Sequence, residues 1–186
     1  NIVGLSNDPL LEGFATIPGG LDNEALGDYS FAAGRQAKGD ALHSGAFLYS
    51  DNLGKPFYSA AANEFAVRAR GGFRLVTAVN AAGAPTGGAI LAPGSSSWSF
   101  LSDRAAKEQF APVDGQEILD RLAGLSIETW NYRSQDRSIR HLGPMAQDFF
   151  AAFGLGEDNR HISTVDADGI ALAAIQRLSQ LLCEKE

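Results

Sequence analysis

Small residues return at every seventh position through the early part of the chain. Gly20, Gly27, Gly34 and Ala41 form one series, Asn23, Ser30, Ala37 and Ser44 a second, and Ala25, Ala32, Gly39 and Ala46 a third. A heptad of this kind lacks the large apolar a and d residues of a coiled coil, and each glycine would cost a helix roughly 1 kcal/mol relative to Ala. The three series therefore predict tightly wound β structure, in which short strands stack, glycines make the turns and little room is left inside. Farther along, Phe65 and Val67, then Phe73, Leu75 and Thr77, alternate with polar or small residues and predict two short strands around Gly71-Gly72. Arg68, Arg70 and Arg74 fall on these strands. They read as a solvated or cross-chain ion-paired face, with a small anionic ligand as the rival reading.

The pattern changes after Leu101. Asp114-Gly-Gln-Glu117 offers an N-cap with a Glu three residues on, and Ile118, Leu119, Leu122 and Leu125 follow at helical spacing, with Gly124 as a stop. Ile127, Thr129, Trp130 and Tyr132 predict a strand within 126–133, and Ile139 to Leu142 its partner across Ser134-Gln-Asp136. Gly143-Pro144 predicts the start of a helix through Phe153, closed by Gly154. Asp166-Ala-Asp168 opens a long last helix, in which Ala171, Ile175, Leu178 and Leu182 are spaced 4, 3, 4 and form one stripe. That stripe fits a coiled-coil seam or packing within its own domain. Two heptads alone would be marginal in water, so either arrangement needs a partner surface.

Composition sharpens this division. Residues 1–101 hold 15 of the 21 glycines and 14 charged residues, while 102–186 hold 6 glycines and 23 charged residues. Ala92-Pro-Gly-Ser-Ser-Ser97 has linker composition, which places the expected domain border near Leu101. At 186 residues the chain suits one large or two small domains. A net charge of −7 leaves no global basic field for nucleic acid or an anionic membrane. No apolar run approaches the roughly 18–20 residues that cross a bilayer, and a single Cys cannot form a disulfide framework within the chain. The start at Asn1, without Met or a signal-like stretch, predicts a piece of a longer protein. His43, His141 and His161 stand apart from other ligand types, so no metal site and no cofactor is expected.

The segment from Gly20 to Gly34, with its N-x-A-x-G-x-x-S-x-A-x-G spacing, resembles the head repeat of YadA-like trimeric adhesins over about residues 13–50. The resemblance implies a left-handed parallel β-roll whose three chains associate side by side. The second half carries a different resemblance. Ser102-Asp-Arg-Ala-Ala-Lys-Glu108, Trp130-Asn-Tyr132, Arg140-His-Leu-Gly-Pro-Met-Ala-Gln147 and the last helix are together similar to the intramolecular chaperone domain at the C-terminus of phage endosialidases and tail fibres. Ala106 stands where that family commonly has a large apolar residue.

This second resemblance implies a homotrimer that aligns three chains, lets the preceding fibre fold, and then cuts itself free at Leu101-Ser102 with a Ser102-Lys107 dyad. Asp103, Arg104, His141 and Gln147 would support the site. A serine hydroxyl is a weak nucleophile and needs a base. An ordinary lysine is protonated at neutral pH, so that role calls for burial or a neighbouring cation such as Arg104. Five residues of regular helix would put the two side chains on different faces, so the dyad requires an irregular segment or a contact between chains. Without the resemblance, Ser102 reads as a helix N-cap and Lys107 as a solvated side chain.

The expected protein is thus α+β and multi-domain. Its parts are a β-roll head remnant over 1–55, a β neck over 56–101, and an α+β chaperone over 102–186 that ends in a long helix, all within a trimer. Any peptidase activity would be a single turnover in cis, and a permanent adhesin or fibre tip without cleavage shares the same fold. A glycan hydrolase would need paired carboxylates roughly 5–9 Å apart, and the Gly-rich half offers no convincing pair. A phage virion fibre or a bacterial cell surface is the expected setting, with any host-surface or glycan receptor engaged through upstream domains.

Overall fold

The seven-residue period becomes a winding rule in the computed structural model, which describes residues 1–4 and 14–185. Strands β1 (Ile2–Val3), β3 (Glu24–Ala25), β5 (Ala37–Gly39) and β7 (Phe57–Tyr58) pair in parallel as one sheet. Strands β2 (Gly20–Leu21), β4 (Phe31–Arg35), β6 (Phe47–Ser50) and β8 (Phe65–Arg68) form a second. Consecutive strands alternate between the sheets. Gly20 faces Gly34 and Ala25 faces Gly39, each pair fourteen residues apart, so seven residues make half a turn of the coil. Residues 5–13, which include Gly13 at the start of the expected head resemblance, lie outside the described residues.

The interior explains why the repeated positions are small. Ala25, Ala32, Ala37, Ala46 and Leu48 are at most 1 % exposed and fill the space between the sheets. Asn23 is also buried. Its amide donates to the carbonyls of Gly19 and Gly34, each at 3.0 Å, and accepts from the Ala37 N–H at 3.0 Å, so the buried polar group is satisfied across one turn. Gly34 has φ +94°, and a Cβ there would lie 1.9 Å from the Ser50 carbonyl oxygen. No side chain fits. Outside the coil, Phe31, Phe47 and Phe65 stack in register with ring centroids 4.4 and 4.6 Å apart.

The parallel pairing continues through β7 and β8, past the expected end of the head at residue 55. At the end of the coil, Asp51 accepts from Nε of Arg68 (3.1 Å), and from the backbone N–H (3.0 Å) and Nε (2.9 Å) of Arg70. These contacts pair two of the three expected arginines within one chain rather than across chains, because the coil's own turn brings Asp51 beside them. A three-stranded antiparallel sheet follows, made of β9 (Phe73–Val79), β10 (Pro85–Leu91) and β11 (Ser99–Phe100), with β10 in the middle. Leu75, Val76, Val79, Ile90 and Phe100 on it are exposed.

Two compact units result, Asn1–Glu108 and Gln109–Glu186, so the contacts divide after Glu108 rather than at Leu101. The second unit comprises α1 (Gly115–Ala123), β12 (Glu128–Trp130), β13 (His141–Gly143), α2 (Ala146–Phe153) and α3 (Thr164–Cys183). Asp114 caps α1 through the N–H groups of Gln116 and Glu117. Strands β12 and β13 pair antiparallel, with Trp130 opposite His141. Helix α2 starts later than Gly143-Pro144 predicts, because Gly143 is paired with Glu128 and Met145 is still extended. Helix α3 starts earlier than Asp166. Ser163 caps it through the Val165 N–H, which leaves Asp166 in the first turn, where the helix dipole favours a carboxylate. The α+β class is evident in these strands and helices. Among the described residues, no helix is long and apolar enough to cross a membrane.

Candidate functional site

The end of β11 sets the geometry around Ser102. Ser99 and Phe100 pair with Ile90 and Ala89 of β10, and the Leu101 N–H then donates to the Gly88 carbonyl at 3.3 Å. Past Leu101 the chain leaves the sheet. Asp103 is extended and accepts from the Ala105 N–H at 2.9 Å, capping a single 3₁₀ turn over Arg104–Ala106. The Lys107 N–H bonds the Arg104 carbonyl, and Lys107 itself returns to an extended conformation. Lys107 Nζ thereby donates to Ser102 Oγ at 2.6 Å.

This contact lies within one chain and uses an irregular segment, one of the two routes the spacing left open. A regular helix would have separated the side chains, whereas one tight turn between extended residues brings them back together. Ser102 does not act as the N-cap, because Asp103 takes that place. Leu101, Ser102 and Lys107 are all exposed in the single chain. Beside them runs a groove of about 420 Å³ along one stretch of the sheet, with Arg74, Gly88, Ile90, Phe100, Leu101 and Ser102 in its lining. Arg74 is the third expected arginine.

The other expected residues are placed as follows. Arg104 occupies the 3₁₀ turn. His141 belongs to the second unit, where its ring stacks on Trp130 at 4.8 Å, meets Tyr132 edge-on at 5.3 Å, and has Nε2 2.8 Å from Gln135 Oε1. Gln147 lies in the first turn of α2. Ala171, Ile175, Leu178 and Leu182 are exposed along α3, while Ile170 and Ala174 on the same helix are buried. Elsewhere, His43 Nδ1 lies 2.7 Å from Ser59 Oγ, and His161 Nδ1 lies 2.9 Å from Asp158. Among the described residues, no three His, Cys, Asp or Glu side chains gather as a metal-binding group.

Two features went unread in the sequence. One is the carboxylate of Asp51, which the Arg70 backbone N–H foremost, then the Arg70 guanidinium and the Leu53 N–H, holds down to a pKa of about 2. The other is the irregularity at Gly87-Gly88 in β10, opposite Leu101. Paired glycines inside a strand-like run are its sequence signal.

Residues 102–154 match the family model described as Chaperone of endosialidase. The matched span opens at Ser102 and closes at Gly154, the residue that ends α2 with φ +64°. It includes the Ser102–Lys107 pair, the Trp130–His141 strand pair and Gln147. The match supports a C-terminal chaperone domain. No curated protein and no solved structure matches the chain.

Proposed function

We propose that the chain is the end of a homotrimeric fibre or adhesin, in which the C-terminal domain acts as an intramolecular chaperone and cuts the Leu101-Ser102 bond. The observation that carries the reading is the 2.6 Å contact between Lys107 Nζ and Ser102 Oγ, at the first residue of the chaperone match. In the reaction, a neutral Lys107 takes the hydroxyl proton as Ser102 Oγ attacks the Leu101 carbonyl carbon. The Leu101-Ser102 C–N bond breaks, its nitrogen receives the proton from Lys107, and Leu101 is left as an ester on Ser102 Oγ. Water hydrolyses that ester to a Leu101 carboxylate and restores the serine hydroxyl. No trans-acting activity is part of the proposal.

Trimerisation draws support from the exposed α3 stripe and from the sheet of β9 to β11, which exposes large apolar residues. A two-sheet coil whose core is mainly alanine buries little apolar area per chain against an ordering cost of roughly 1–2 kcal/mol per residue. Association of three coils of the YadA-like head kind would supply the difference.

Intact-mass spectrometry tests the reaction. Wild type on prolonged incubation yields fragments ending at Leu101 and starting at Ser102. Ser102→Ala and Lys107→Ala each remove the cut and still assemble. Full-length mass alone from a properly assembled wild-type trimer would leave the second reading, a permanent trimeric tip. That reading draws on the placement of Ser102 to Glu108 in the first compact unit, with the strands that a cut would leave behind.

A further inference from the structure

We propose that Gly88 is a positioning residue for the Leu101-Ser102 bond, its carbonyl anchoring the acyl-side residue at a bulge that ends the β10–β11 ladder before Ser102. The inference rests on the self-cleavage reading above. From Leu91 back to Gly88, β10 pairs with β9 in regular register, Leu91 with Phe73, Ile90 with Arg74, Ala89 with Leu75 and Gly88 with Val76. The register then shifts between Gly88 and Gly87 and again between Gly87 and Pro85. Strand β11 uses the regular part, Ser99 on Ile90 and Phe100 on Ala89, and its last tie is the Leu101 N–H on the Gly88 carbonyl. The ladder stops there, and Ser102 enters the turn that brings Lys107 back to it.

This placement suits the chemistry. Attack of Ser102 Oγ on its own preceding carbonyl closes a five-membered ring and twists the peptide bond out of plane, which a residue locked in a ladder on both sides resists. Here the Leu101 side is fixed and the Ser102 side is released. Only glycine fits at 88, because its φ is +139° and a Cβ would lie 2.0 Å from the Leu75 carbonyl oxygen. Gly87 differs. Its φ is ordinary, and the nearest atoms a Cβ would meet are Thr77 Oγ1 at 3.1 Å and Ala78 Cβ at 3.3 Å, with the Ala78 nitrogen at 3.7 Å.

The experiment compares cleavage rates of the full chain by intact mass across pH 7–9, with light scattering to confirm assembly. Gly88→Ala slows the cut by about a hundredfold, as expected for a reacting group misplaced by about 1 Å, while Gly87→Ala cuts within about threefold of wild type, since its contacts ask for only small adjustments. A second variant avoids a new side chain. Replacing Leu101 by its α-hydroxy acid through ligation removes the N–H that Gly88 receives and slows the cut about tenfold. Its pH profile keeps the wild-type shape, because the replacement changes no ionisable group. Wild-type rates in both the Gly88 and hydroxy-acid variants, or equal losses in Gly87→Ala and Gly88→Ala, overturn the assignment while leaving self-cleavage standing. An assembled wild type that never cuts overturns both.

Discussion

At the scale of single residues, Asp51 shows how a local cluster becomes a pH dependence of the fold. Its side chain is 16 % exposed and is bonded by Arg68 and Arg70, which extend from β8 and the turn after it. The folded pKa of about 2 lies below the ordinary aspartate value of about 3.9. A depressed carboxylate contributes stability that is fully present above its unfolded pKa and is lost as pH falls through the folded one. The urea midpoint of wild type is therefore expected to drop between about pH 4 and pH 2, and Asp51→Asn should lower the midpoint at neutral pH while flattening that drop. An Asn variant with the same acid profile as wild type would remove Asp51 as its source. The residue types at this cluster are visible in the sequence. Their pairing is not, because Asp51 and Arg68 meet only after a full turn of the coil has formed.

At the scale of elements, the sequence shows the turns from β2 to β5 far better than those on either side, since β1 and β3 pair twenty-two residues apart. Fourteen-residue pairing holds from β2 to β4 and from β3 to β5, so the glycine and alanine series stay in phase. The spacing then grows to sixteen between Phe31 and Phe47, eighteen between Phe47 and Phe65, and twenty between Ala37 and Phe57, as loops lengthen. Periodicity is lost although the pairing is not, which is why β7 and β8 read as part of a neck. Periodicity does not show the Ser102–Lys107 contact either, because one 3₁₀ turn leaves no periodic trace, and the pair is legible only through the chaperone resemblance. The α3 stripe is legible, and it is exposed along the helix. Ile175→Asp, at a position 62 % exposed, should give monomers with undiminished helix, whereas Ala174→Asp, at 4 %, puts an unpaired charge into the second unit and should unfold it. Light scattering with far-UV circular dichroism separates the two outcomes. A stable Ile175→Asp trimer would assign the seam elsewhere.

At the scale of the whole molecule, the two units pose different folding problems. In Asn1–Glu108 the paired strands of the coil are joined through intervening strands of the other sheet, so each turn needs a long loop closed before any contact rewards it. Its core is five small or medium side chains, and its antiparallel sheet leaves Leu75, Val76, Val79 and Ile90 in solvent. Such a unit is slow to register and prone to wrong pairing at its open edges. Gln109–Glu186 is built from three helices, whose backbone bonds are local, and one short strand pair, with Phe149, Ile170 and Ala174 buried, although α1 and α3 meet across most of the unit, as in the Arg177–Gln116 bond. On the proposed chaperone reading, the C-terminal part would fold and associate first, and so raise the local concentration of three coils. A fragment of residues 102–186 is accordingly expected to be soluble, helical and trimeric by light scattering and circular dichroism. Residues 1–101 expressed without it should aggregate or stay unassembled, and co-expression in trans should not rescue them, because the advantage lies in the covalent tether. A soluble trimeric 1–101 fragment would show that the coil carries its own nucleus, and the C-terminal domain would then hold a finished assembly together rather than template it.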